Sequence, residues 1–281
     1  MTDGRPAVTP KSMVLDLMRV AAPEPCSVRA LIDVGRLFDF EANAVRVAVA
    51  RLNSRGLVEP MRRGWYRFAV RAQPLSAFVE QWRLGERRMI PWRGDWLAVW
   101  QPRSGTRKVQ ARDTGALRRL GFVAGPSPLW LRPNNLASRV DGTRERLASL
   151  GLSDSAELFV MSEISAALRR ELGRAWPGKR IRSEQRRACS DLRDSADHLD
   201  ALDHDQALVE TFMLGGTAIR LLSLDPLLPD ELVDGSSRRE LTEQMLHYDK
   251  LGRDLWRQAI DRARLESAPT NLGSLDQKSA A

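Results

Sequence analysis

Residues 41–68, EANAVRVAVARLNSRGLVEPMRRGWYRF, constrain the fold of this chain more than any other stretch. Val45, Val49 and Leu52, with Ala48, recur at helical spacing and predict one buried face. Asn43, Arg46, Val47, Ala50 and Ser54 fall on the opposite face, with Arg51 on its flank. Gly56 supplies the left-handed residue that ends such a helix. Leu57-Val58-Glu59 and Trp65-Tyr66-Arg67-Phe68 then predict two paired strands around Met61-Arg62-Arg63-Gly64. An arginine-bearing helix face followed by a basic hairpin suits a DNA major groove and its flanking phosphates.

Surface helices often carry arginines, so the face alone would equally fit a helix that merely packs, with Arg62 and Arg63 as solvated turn residues. Two preceding helices tip the balance. Met13, Val14, Leu17 and Met18 lie at amphipathic spacing between Pro10 and Val20. Ser27 can cap a second helix carrying Val28, Leu31, Ile32 and Val34 and ending near Phe38. The module reads as a winged helix-turn-helix. Its expected recognition face is Asn43, Arg46, Val47, Ala50 and Arg51, with Arg62, Arg63 and Arg67 on phosphates or in the minor groove. Arg46 and Arg51 border the core stripe, so one of them could instead form a buried ion pair.

Charge supports the same partner. The net charge is +8, from 44 Lys+Arg against 36 Asp+Glu. Residues 1–90 hold 15 basic and 9 acidic side chains, so most of the excess lies with the helices and hairpin. Two cysteines, Cys26 and Cys189, are too few and too far apart for a disulfide framework or zinc site. No apolar run reaches membrane-spanning length, no lysine-rich amphipathic helix is present, and no signal-peptide pattern opens the chain. A cytoplasmic protein without membrane partners is expected.

The expected fold is α+β and multidomain. Residues 1–74 form the DNA-binding domain, with 1–9 loose, and 75–92 a linker helix. In 93–164, strands at 96–100, 122–125, 129–132 and 157–161 alternate with helices over 106–120 and 135–150. That βαββαβ order is ferredoxin-like. Residues 165–265 read as a helical C-terminal domain, broken at Trp176-Pro177-Gly178 and Asp225–Pro229, with apolar surface to spare for dimerisation. The tail, 266–281, reads as disordered.

The run from Val45 to Leu52, the Gly56-Leu57 step, Trp92-Arg93-Gly94-Asp95-Trp96, Gly121-Phe122 and Asp225-Pro226-Leu227-Leu228-Pro229-Asp230-Glu231-Leu232 together resemble the PaaX family of bacterial repressors. The matches are collinear and spread over nearly the whole chain. The resemblance implies the same three-part architecture and a homodimeric repressor of a catabolic operon. It also implies an aryl-acyl-CoA effector such as phenylacetyl-CoA, whose binding releases the operator. The chain departs from the family pattern at Val233–Ser237 and is unusually arginine-rich from Arg169 to Arg187.

Three further features bear on function. Arg169, Arg170, Arg174, Lys179, Arg180 and Arg182 surround Trp176, and such a group could pair an acyl-CoA's phosphates and stack its adenine. A solvated arginine-rich helix or an extra DNA-facing patch would look the same. Asp197, Asp200 and His204 could align as metal ligands if one helix carried them, against the plainer reading of a solvated acidic helix. No GxGxxG, Walker or GxSxG pattern occurs, so no cofactor and no enzyme activity is expected. The alternative from another class is a nucleic-acid-processing enzyme that docks through its winged helix. A nuclease of the central fold would want a carboxylate at the end of the first strand, where Trp100-Gln101-Pro102 stands.

Overall fold

A computed structural model describes residues 8–102 and 105–266. Among the described residues the chain is mixed α/β with two antiparallel sheets, and it divides into two compact units. One is Val8–Ala69 with the end of the last helix from Arg253; the other is the stretch from Val70 to Gly252.

In the first unit, α1 (Pro10–Ala21) starts with a reciprocal cap between Thr9 and Ser12, so Thr9 is part of a helix start and not of a loose leader. Residues 1–7 lie outside the described residues, as do 267–281 of the expected tail. Strand β1 (Cys26–Ser27) runs into α2 (Val28–Arg36), where Ser27 Oγ accepts the Ala30 N–H at 3.0 Å. Helix α3 (Ala42–Ser54) buries Val45, Ala48, Val49 and Leu52. Gly35 lets α2 and α3 approach, since a Cβ there would meet Val45 Cγ2 at 2.9 Å. Gly56, at φ +57°, ends α3 with its N–H on Asn53 O and the Leu57 N–H on Leu52 O. Strands β2 (Val58–Arg62) and β3 (Trp65–Phe68) come next, and the sheet order is β1-β3-β2.

The second unit opens with α4 (Gln73–Glu80), which runs into a 3₁₀ stretch over Gln81–Arg88. The expected linker helix is therefore irregular, because Gly85 takes a non-helical φ of 50°. Trp82 is fully buried and ties this stretch to a core built by the C-terminal helices.

Strands β4 (Trp96–Trp100), β5 (Val123–Ala124), β6 (Leu129–Pro133) and β7 (Glu157–Met161) form an antiparallel sheet in the order β5-β6-β4-β7. Helix α5 (Arg107–Arg119) lies between β4 and β5, and α6 (Arg139–Ser149) between β6 and β7. Alternation along β4 feeds two cores. Leu97 and Val99 pack with Leu117, Leu147 and Leu158. Trp96 and Ala98 pack on the other face with Leu131, Leu172, Trp176 and Leu228. The second predicted helix starts at Arg139 instead of Asn135, because Asn135 is fully buried and donates to Leu227 O at 2.8 Å.

Helices α7 (Ala166–Ala175), α8 (Gly178–His198), α9 (His204–Ser223) and α10 (Ser236–Glu266) follow among the described residues. Ala188, Cys189 and Leu192 of α8 meet Leu214, Ala218 and Leu222 of α9 and Leu241, Met245 and Tyr248 of α10. The helical region has a third interruption between α8 and α9. Asp203 caps α9 reciprocally with Gln206, its carboxylate accepting the Gln206 N–H at 2.8 Å.

Candidate nucleic-acid interface

Every residue expected on the recognition face of α3 is exposed: Asn43, Arg46, Val47, Ala50 and Arg51. Burial of Val45, Ala48, Val49 and Leu52 fixes that outcome, since at 3.6 residues per turn the remaining positions must face outward. Arg46 and Arg51 make no ion pair within the described residues, so neither is the buried, paired arginine considered as the alternative. Exposed Asn53 and Arg55 extend the surface beyond the positions expected. The signal for Arg55 was a cation in the last turn, masked by the helix end that Gly56 marks one residue later.

The hairpin treats its arginines unequally. Arg67 is paired across the strands with Glu59 at 2.8 Å, and its charge is already countered. Arg62 lies over the Trp65 ring, 4.2 Å from the centroid. Arg63 is exposed in the turn beside Gly64, which sits at φ +74°. Thus Arg63 is the freest of the three for a phosphate, Arg62 offers its guanidinium edge, and Arg67 would have to exchange partners.

The other candidate cluster lies on α7 and the start of α8. Arg169, Arg170, Arg174, Lys179 and Arg180 are exposed and Arg182 is half-buried. Arg180 lies 3.5 Å from Glu184. Trp176 is buried, its Nε1–H donating to Gly121 O at 3.1 Å and its ring stacked on Trp96. No face of that indole is open to an adenine.

Asp197, Asp200 and His204 do not share a helix: Asp197 is in α8, Asp200 in the 3₁₀ turn Leu199–Ala201, and His204 begins α9. Among the described residues no three His, Cys, Asp or Glu side chains are placed to hold a metal ion. The helical alignment the spacing allowed is prevented by the cap at Asp203.

Two buried arginines stand out electrostatically. Arg132 is 1% exposed and donates to Leu120 O, Asn135 Oδ1, Pro133 O and Pro226 O. Burial pulls its pKa down to about 9, against the attraction of Asp225. Arg88 donates to Leu222 O and Gly85 O, and burial lowers it to about 10. Asp225 in turn accepts from Gln185 at 2.6 Å, Arg238 at 3.4 Å and the Leu227 N–H at 2.7 Å. The stretch from Asp225 to Leu232 is thereby locked onto the sheet and helices.

Residues 9–72 match the model of the PaaX-like protein family, so the three helices and hairpin are PaaX-like. The match suggests a transcriptional regulator. A solved structure of an uncharacterized protein, Rv0674 from Mycobacterium tuberculosis, is similar over 91% of this chain and 99% of that one. The likeness has a TM-score of 0.57 at 19% identity and shows a shared fold. No curated protein sequence matches. No helix among the described residues is long and apolar enough to cross a membrane.

Proposed function

We propose that the chain is a homodimeric transcriptional repressor that reads an operator with α3 and braces on it with the β2–β3 hairpin. The observation that carries this is the exposed face of α3, with Arg46 and Arg51 free of acidic partners above a fully apolar inner face. The element order α1-β1-α2-α3-β2-β3 with sheet order β1-β3-β2 supports a winged helix-turn-helix. The order β5-β6-β4-β7 supports a ferredoxin-like central domain, followed by a helical C-terminal domain. One winged helix reads few base pairs, so two copies on an inverted repeat supply the missing specificity. Release by a small acidic metabolite, of the acyl-CoA class the resemblance implies, completes the reading.

Selection of genomic duplex fragments by the full chain tests it. Recovery of a short inverted repeat upstream of a catabolic operon, lost with Arg46→Ala, is the expected result. Sequence-independent cleavage of the fragments would overturn it in favour of a nucleic-acid-processing enzyme.

A further inference from the structure

We propose that the hairpin acts as an apolar wedge, with Met61 entering the minor groove of the operator and kinking it at a flexible base step. This rests on the DNA-binding reading above and specifies how the same site shapes its DNA.

The strand register supplies the first observation. Pro60 opposes Tyr66 and Arg62 opposes Trp65, which leaves Met61 as the extra, unpaired residue of a β-bulge. Bulges of this kind re-aim a side chain at a functional surface. Burial then falls along β2 from buried Val58 to exposed Pro60, Met61 and Arg62. Met61 is 48% exposed, so it contributes little to the core of its unit.

The second observation is the use of the neighbouring charges. Arg67 is held by Glu59 and Arg62 by the Trp65 ring, so both stiffen the hairpin. Arg63 and Met61 remain as the groups at its tip that are free to meet a ligand. A surface built only to hold phosphates gains nothing from an exposed thioether between a proline and two arginines. An apolar side chain flanked by cations is what partial unstacking of a minor-groove step requires: the cations satisfy the phosphates while the apolar group replaces lost stacking. Unstacking is easiest at pyrimidine–purine steps, so each half-site should carry a TA or CA/TG step beneath the hairpin although no side chain hydrogen-bonds to it.

The test uses the full chain and its selected operator, end-labelled for energy transfer, with Met61→Ala and Met61→Leu. Wild type and Met61→Leu are expected to bend the duplex. Met61→Ala should lose most of the bend and bind about tenfold more weakly, the order expected for losing one wedge. Its salt dependence should be unchanged, because methionine releases no counterions. Placing a stiff A-tract under the hairpin should weaken wild type and leave Met61→Ala indifferent. Equal bending and affinity in wild type and Met61→Ala, with Arg46→Ala still damaging, overturns the wedge and leaves the DNA-binding reading standing. A wild-type chain that selects no operator overturns that reading, and the wedge with it.

Discussion

Gly121 and Pro226 lie so close that a Cβ on Gly121 would stand 2.8 Å from both the Cα and the carbonyl oxygen of Pro226. These residues belong to two sequence motifs that are far apart in the chain, and the fold brings them into contact. The Gly121 carbonyl also accepts the Trp176 indole N–H, and Arg132 donates to Pro226 O. One glycine thus sets how the segment from Asp225 to Leu232 lies on the sheet.

Gly121→Ala should therefore destabilise the protein strongly. At φ +76° a side chain is strained, which costs about 1–3 kcal/mol before any clash. The contact with Pro226 adds to this, because backbone atoms cannot swing aside. Gly173→Ala is the control: it lies in α7 with nothing within 4 Å of its Cβ position, and should gain about 0.5–1 kcal/mol in helix propensity. Denaturant unfolding of the two variants should move in opposite directions.

The charged groups on α3 and in the hairpin should separate specificity from general affinity. Arg46→Ala should cost about 1–3 kcal/mol on the operator and little on random DNA, as for loss of a bidentate base contact. Arg63→Ala should weaken both equally and reduce the salt slope by about one. Titrations at several salt concentrations distinguish the two, and unchanged binding in both variants would remove this face from the interface.

Tyr248 gives a pH prediction. Its hydroxyl lies 2.7 Å from Ser195 Oγ, which donates to Glu210 at 2.5 Å. Burial pushes the phenol up to about 12 from the ordinary 10.0, opposed by the Ser195 hydrogen bond and aided by the Glu210 charge. The folded state holds its proton where the unfolded chain releases it. Its contribution is therefore complete below pH 10 and is lost as pH rises towards 12. The stability difference between wild type and Tyr248→Phe should shrink across that window, measured by unfolding at closely spaced alkaline pH. A constant difference would contradict the shift.

The parts of this structure that were legible in the sequence are those set by local periodicity. Four apolar residues on α3 dictated its exposed face, and the run from Trp96 to Trp100 marked a strand that is buried on both sides as far as Val99. Contacts made across long sequence distances were not legible. Nothing near Trp176 announces that Trp96 and Gly121 consume its ring and N–H, so it read as an open stacking group. Arg132, near the end of a predicted strand, gave no sign that backbone carbonyls from two segments would bury it. The break before α9 was readable, since Asp203 and Gln206 have capping-box spacing. The Asp/His spacing at Asp200 and His204 competed with it. The Glu59–Arg67 pair was also readable, because a hairpin turn at Arg63-Gly64 sets the two side by side.

The arginines on either side of Trp176 carry the last prediction. Arg174 is exposed, and Arg180, with Glu184 at 3.5 Å, keeps only a screened surface partner that a phosphate can displace. With Trp176 closed, a thioester bound here would be held through its phosphates and not by ring stacking, so its affinity should fall steeply with salt. Release of DNA further requires tighter binding to the non-DNA-competent arrangement, because equal affinity shifts nothing. Calorimetry with phenylacetyl-CoA should then show binding that an Arg174→Ala, Arg180→Ala double variant weakens by roughly tenfold or more, the order for two charge-assisted contacts. Binding that the double variant leaves intact would move the ligand elsewhere. No binding of any thioester, with the operator complex undisturbed, would exclude that effector class.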